Sequence, residues 1–314
     1  MDKPLWMWAI FLTVVVTLLI IDLGVLRRKD HEIGLKESLI YSAGYIAIGL
    51  LYGVWVWQSL GIDSAQLYWT GYLVEKTLSL DNIFVISLVF SYFAIPRKYQ
   101  HRVLTWGIMG VIVLRGLMIG IGTEIVANFH WVLYIFALFL MFTGVKMLFP
   151  SEEHGPDISK NPVVRLVKKY LPVSPEFHGH DFFVKKNGKT FVTPLLLALV
   201  VIEFVDVIFA VDSVPAILAL TTDTYIVYTS NIFAILGLRA LYFALDAVLH
   251  RFQYLKYSLA LVLVFIGSKI FIVDFFDMNK FPPALSLGVV VAMLAAGVVY
   301  SLYKTKDDAQ VEHK

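Results

Sequence analysis

The chain has 314 residues, 59% hydrophobic and 16% charged, with a formal net charge of +2 and a mean hydropathy of +0.75. Soluble domains carry about 45–50% apolar and about 25% charged residues, so one soluble globular domain is excluded, and so is intrinsic disorder. The chain has no cysteine, which removes disulfides, thiolate nucleophiles and Cys-ligated zinc. What remains is a polytopic membrane protein.

A bilayer core about 30 Å thick needs roughly 20 apolar residues per helix. Nine segments qualify: 6–26, 38–60, 68–93, 103–124, 130–149, 193–220, 225–248, 255–274 and 283–303. The short link between the fourth and fifth, residues 127–130, predicts a helical hairpin. The first segment reads as a membrane helix rather than a signal peptide: only Lys3 precedes it as a basic residue, no small-x-small site closes it, and Arg27, Arg28 and Lys29 follow it. Basic loops alternate with non-basic ones along the chain. Lys and Arg fill the loops after segments one, three, five and seven and the C-terminal tail, and are missing from those after two, four and six. The loop after segment eight has one, Lys280, beside Asp274 and Asp277. The positive-inside rule then expects an outer N-terminus and a cytoplasmic C-terminus in a bacterial-type inner (plasma) membrane.

The long loop 150–192 is the one sizeable cytoplasmic piece. Its residues 163–170 read as a basic amphipathic helix on the membrane surface. Asn187-Gly188 between the apolar runs 182–186 and 189–192 predicts a β-hairpin. Too short for an enzyme domain, the loop reads as a linker between two halves. His178 and His180 with Asp181 could bind metal, although a solvated loop is the plainer reading.

The two halves repeat. Residues 134–146 align without gaps on 257–269, with seven of thirteen positions identical, among them Tyr134/Tyr257, Gly144/Gly267 and Lys146/Lys269. Residues 114–117 match 238–241, and 80–85 match 205–210, at offsets between 123 and 125. Each copy has three helices, an odd number, so the copies face opposite ways across the bilayer. Such inverted repeats place a binding site at their interface near the midplane. The expected layout is helices one and two over 1–66, a first repeat over 67–149, the loop 150–192, a second repeat over 193–275, and a last helix with its tail over 276–314.

Ionisable groups in a bilayer cost roughly 2.5–3.5 kcal/mol each on insertion scales, and this chain has many. Segment three carries Glu75, Lys76 and Asp81, beside Ser79 and Asn82. Segment six carries Glu203, Asp206 and Asp212, beside Ser213. Segments four and seven carry Arg115 and Arg239. At 100° per residue, Glu75, Ser79 and Asn82 share a face, as do Asp206 and Ser213. Asp212 falls opposite Glu203 unless Pro215 breaks the helix, and a break is expected there. Carboxylate, amide and hydroxyl oxygens select hard divalent cations, Mn²⁺, Mg²⁺ or Ca²⁺. Several acids in low dielectric do not all stay ionised without a cation, so metal and protons compete for them.

Plainer roles are expected for other charged groups. Arg115 and Arg239 balance charge or gate. Lys76 pairs locally or snorkels, and Lys146 and Lys269 snorkel from helix ends. Asp22 and Asp246 make satisfied polar contacts. Gly107, Gly110, Gly144, Gly237 and Gly267 permit close helix packing.

The segments Glu75-Lys76-Thr77-Leu78-Ser79-Leu80-Asp81-Asn82-Ile83-Phe84-Val85 and Glu203-Phe204-Val205-Asp206-Val207-Ile208-Phe209-Ala210-Val211-Asp212-Ser213-Val214-Pro215-Ala216 resemble the two signature segments of the TerC family of integral membrane proteins, in its Alx-type branch. Residues 229–242 carry the same resemblance, which runs over nearly the whole chain. It implies a manganese exporter of the wider LysE-like group, whose members are also associated with tellurite resistance, alkaline-pH response and metal supply to exported proteins. The implied metal ligands are Glu75, Asp81, Asn82, Glu203, Asp206 and Asp212, and Ser213 adds a neutral oxygen. Manganese itself comes from the resemblance alone.

The sequence thus predicts an all-α polytopic protein of about nine transmembrane helices, with inverted repeats formed by helices 3–5 and 6–8. The expected function is export of a divalent metal, Mn²⁺ first, by exchange with protons. Mn²⁺ is cargo, and neither an organic cofactor, an enzymatic activity nor a nucleic-acid partner is expected. The alternative is a membrane partner that binds metal and supplies it to exported proteins without net transport.

Overall fold

Long apolar runs bounded by turn residues fold as helices in the computed structural model. It describes residues 3–25, 35–149, 172–174, 179–186, 189–245, 254–278 and 281–311; the side chains at 23–25, 35, 81, 84, 186, 189, 212, 245 and 305–311 lie outside that description. In chain order the helices are α1 (Leu5–Val25), α2 (Leu35–Leu60), α3 (Ile62–Tyr92), α4 (Arg97–Asn128), α5 (Val132–Leu148), α6 (Pro194–Leu220), α7 (Thr224–Ile235), α8 (Leu238–Leu245), α9 (Leu255–Phe275) and α10 (Pro283–Val311). The protein is an all-α polytopic membrane protein, and helix covers each of the nine expected segments. Seven described stretches are long and apolar enough to span a bilayer by length and composition. The other two expected spans are α3, which carries Glu75, Lys76 and Asp81, and α5, which has 17 residues.

Local signals set the boundaries. Gly61, at φ +88°, opens α3. Pro194 sits in the first turn of α6, where its missing N–H costs nothing. Asp223 caps α7 by accepting hydrogen bonds from the N–H groups of Tyr225 (3.1 Å) and Ile226 (3.4 Å).

Two expectations about helix breaks are corrected. α6 runs unbroken through Pro215. Residues on both sides of the proline are buried in packed clusters, Ala210 and Val214 before it and Ala216 and Ile217 after it, and this packing holds the helix together across the ring. The break lies in the seventh segment instead, where α7 ends at Ile235 and α8 starts at Leu238. Gly237 between them has φ +82°, and Tyr45 of α2 occupies the place a Cβ would take. Only glycine satisfies both conditions.

The predicted hairpin forms. β1 (Phe183–Lys186) pairs antiparallel with β2 (Lys189–Val192), with Val184 opposite Phe191. The Arg102 guanidinium stacks over the Phe182 ring at 5.3 Å, and Tyr99 meets the His180 ring edge-on at 5.0 Å, so the hairpin sits at the start of α4. The surface helix expected over 163–170, and also His178 and Asp246, lie outside the described residues.

α3, α4, α6 and α7 pack around a common centre. α2 lies on α3 and α8, and α10 lies on α9 and α3. α5 and α9 make the most extensive helix pair of the molecule. There Gly144 faces the Ala260 carbonyl oxygen and Val264, while Gly267 faces the Ala137 carbonyl oxygen and Met141. A Cβ at either glycine would stand 2.6 Å from that oxygen. Ala260, Val264 and Gly267 each lie 123 positions after Ala137, Met141 and Gly144. The contact is therefore mutual, and its pairing makes the two helices antiparallel.

Candidate functional site

Each helix of the central four contributes one or two polar side chains to one buried cluster, because the interior is where lipid-facing helices keep such groups. α3 supplies Glu75 and Asn82, α4 supplies Arg115, α6 supplies Asp206 and Ser213, and α7 supplies Asn231. All six are at least 95% buried. Arg115 is the hub. Its Nη1 donates to Glu75 Oε1 and, at 2.9 Å, to Ser213 Oγ. Nε and Nη2 donate to the two oxygens of Asp206 at 3.2 and 3.1 Å, a bidentate pair. Asn82 Nδ2 donates to Asp206 Oδ1 at 3.1 Å, and Asn231 Nδ2 donates to Glu75 Oε2 at 3.0 Å.

Of the expected site residues, the structure thus gathers Glu75, Asn82, Asp206, Ser213 and Arg115. Glu203 stands apart. Its carboxylate packs against the glycine backbone of α4, where a Cβ at Gly110 would collide with it, and both its oxygens are buried without a hydrogen-bond partner. The side chains of Asp81 and Asp212 lie outside the described residues. Among the described residues no three His, Cys, Asp or Glu side chains form a group that could hold a metal; oxygen donors come from two carboxylates, two amides and a hydroxyl. Asn231 was not among the expected ligands. Its sequence signals are a polar run, Thr229 to Asn231, inside an apolar span, and its place in the 229–242 segment that carries the family resemblance.

The two arginines, alike in the sequence repeat, have different partners. Arg239 donates to Asp22 of α1 through its carboxylate and its carbonyl, the latter at 3.2 Å, and to Thr105 Oγ1 at 2.8 Å. Tyr45 OH adds a hydrogen bond to the same Asp22 carboxylate at 2.9 Å. Asp22 therefore has the satisfied polar role expected of it, and Arg239 balances it outside the central cluster. Lys76 departs from its expected role. Its Nζ donates to the carbonyl oxygens of Ala234 (2.9 Å) and Leu236 (3.4 Å), which the break in the seventh segment leaves exposed. The end of a half-helix carries partial negative charge, and the ammonium rests on it. Lys269 does not snorkel either: it is buried, with its Nζ 3.0 Å from Ser286 Oγ and over the Phe281 ring.

A small cleft reaches the cluster at Asn82 and Asp206, and Arg239 lines it. Leu104 and Ile202 bound it on the side of the starts of α4 and α6, where the β-hairpin sits, and both belong to the buried apolar cluster that fills that end with Ile95, Val103, Leu195 and Ala198. On the opposite side the helices close. Tyr228 OH of α7 donates to the Gly116 carbonyl at 2.6 Å, and Gly122 is tight against Leu218 and Val214 of α6.

Comparison with known proteins agrees with this architecture. The chain is 48% identical over 297 residues to an "Uncharacterized membrane protein" of Rickettsia bellii (strain RML369-C), covering 95% of this chain and 97% of that one. It is 46% identical over 301 residues to "Uncharacterized membrane protein STKORF319" of Myxococcus xanthus, covering 96% and 93%. It is 45% identical over 306 residues to "Putative membrane-bound redox modulator Alx" of Salmonella typhi, covering 95% and 94%. No solved structure matches. Residues 60–309, from the end of α2 into the last helix, match the integral membrane protein TerC family, and the chain belongs to that family.

Proposed function

We propose that this chain is a secondary transporter that carries a hard divalent cation, Mn²⁺ first, out of the cytoplasm in exchange for protons. One observation carries the reading: two carboxylates from α3 and α6 meet at the centre of the bundle, with amide and hydroxyl oxygens and, among the described residues, no imidazole around them. That donor set suits Mn²⁺, Mg²⁺ or Ca²⁺, and the TerC resemblance selects manganese. The carboxylates of Asp81, Asp212 and Glu203 are proposed to complete the path. A buried carboxylate without a hydrogen-bond donor, as at Glu203, is costly as a bare anion, so it suits a proton or a passing cation.

The mutual contact of Gly144 and Gly267 supports an inverted repeat. The cleft at Asn82 and Asp206 lies on the hairpin side of the Tyr228–Gly116 contact. By the positive-inside rule that side is the cytoplasm of a bacterial inner membrane, as export requires. The relatives named as redox modulators raise a second activity, but a chain without cysteine has no thiol–disulfide chemistry of its own. The protein acts as a carrier, not a catalyst. The remaining rival is a metal-binding partner that supplies exported proteins.

The test is Mn²⁺ flux in proteoliposomes with the pH of each face set separately. Protons neutralise the carboxylates that hold metal, so acid on the loading face slows flux and acid on the release face speeds it. Asp206→Asn removes one ligand charge and reduces flux by about a hundredfold or more. Metal binding without flux under any gradient would replace the exporter with the metal-supply partner.

A further inference from the structure

Two oxygens in the cluster have no hydrogen-bond partner. Asn82 and Asn231 each use their Nδ2 group to hold a carboxylate, Asp206 and Glu75 respectively. Each leaves Oδ1 buried and bare, although Asn82 is only 5% exposed and Asn231 fully buried. Flipping either amide to cover its oxygen would lose the bond to the carboxylate. Native interiors seldom leave such atoms unpaired, and those that remain call for a reason. Here the two bare oxygens come from different helices, and each belongs to an amide bonded to one of the two carboxylates that Arg115 joins. They suit an electropositive guest that binds only oxygen.

The guanidinium is the obstacle to that guest. Counted over Glu75, Asp206 and Arg115, the buried charge is −1. A divalent cation added beside the guanidinium would make it +1, whereas one that replaced the guanidinium would make it zero. In a low-dielectric interior the exchange is favoured over the addition. Arg115 is also held at every named contact by side chains that a cation would claim, Glu75, Asp206 and Ser213.

We infer that Arg115 is a tethered counter-cation that competes with the cargo for Glu75 and Asp206, and that the amide oxygens of Asn82 and Asn231 complete the site once it leaves. This rests on the cation-export reading and adds to it a reason for release: the arginine returns to the carboxylates and expels the metal. It also assigns Asn231 as a ligand.

The test measures Mn²⁺ binding by isothermal titration calorimetry on the purified full-length chain, beside flux in proteoliposomes. Arg115→Gln removes the competitor, so it binds Mn²⁺ tighter than wild type by about tenfold or more while passing it more slowly. Arg115→Lys keeps a tethered cation and binds close to wild type. Adding Asn231→Leu to Arg115→Gln reverses the gain in affinity. A folded Arg115→Gln protein that binds no tighter than wild type overturns the inference. If Arg115→Gln folds only when extracted with Mn²⁺, the inference is supported, because the metal then does the work of the guanidinium. If Mn²⁺ fails to recover it while Arg115→Lys folds, the inference falls. A wild type that transports beside an Arg115→Gln protein of unchanged affinity sinks this inference alone. Absence of binding in both sinks the export reading with it.

Discussion

Lys76 follows Glu75 in the chain, yet the two side chains have different kinds of partner. Glu75 joins the cluster, while the Lys76 ammonium rests on the carbonyls of Ala234 and Leu236. Lys76→Met keeps much of the side-chain volume and leaves those carbonyls without a donor. The expected cost is about 1–3 kcal/mol, the penalty of unsatisfied buried groups, seen as a lower midpoint in thermal unfolding in detergent. An unchanged midpoint would mean that water or another donor replaces the ammonium and that the lysine is not a cap. Such pairings explain what the sequence reveals at this scale. Glu75, Asp206 and Arg115 stand out because charge in a bilayer is expensive. The partner of Lys76 is a backbone group 158 positions away, and no side-chain pattern records it. Asn231 is hidden for a related reason: one amide among apolar residues is affordable, so it attracts no notice until its neighbours are known. The two arginines show the limit of the repeat. Their sequence contexts match, but Arg239 pairs with Asp22 of α1, a helix that lies outside the repeated units.

Elements were more legible than their irregularities. Helix spans follow from apolar length, and the β-hairpin from Asn187-Gly188 between apolar runs. The break was misplaced because Pro215 carries a strong local signal while Gly237 reads as a packing glycine. Tertiary packing overrode the first, and the backbone conformation of the second is invisible in a residue list. Gly144 and Gly267 were legible, since both fall in the aligned repeat. Their exchange of contacts leads to a prediction. Gly144→Val and Gly267→Val each push a methyl-bearing carbon against a backbone oxygen 2.6 Å away. Each should destabilise by about 1–3 kcal/mol, as overpacked interfaces do. Because both act on one helix pair, the double variant should cost less than the sum, once the first has already separated the helices. Unfolding in mixed detergent measures all three. Strict additivity would show that the two glycines report on independent contacts and would remove the α5–α9 pair as a single mutual interface.

For the molecule as a whole, two opposite ends are defined by contacts rather than by the bilayer. At one, Lys3 pairs with Asp223 at 3.0 Å, joining the N-terminus to the turn between α6 and α7. At the other, the hairpin of β1 and β2 sits against the start of α4 through Arg102 and Tyr99. In the orientation proposed above, the hairpin end faces the cytoplasm, where the positive-inside rule puts the basic loops. The proposed export depends on this orientation: the cleft at Asn82 and Asp206 lies toward the hairpin end, so it is on the side of the metal supply only if the hairpin faces the cytoplasm. The chain makes the test simple, since it has no cysteine of its own and each introduced one is a unique label. Thr222→Cys lies in the turn between α6 and α7, and Thr190→Cys lies exposed on β2. In intact cells a membrane-impermeant maleimide should label Thr222→Cys and reach Thr190→Cys only after the membrane is opened. The reverse pattern would turn the protein over. The hairpin end would then face outward, and the same cluster, with the same competition between Arg115 and metal, would favour uptake.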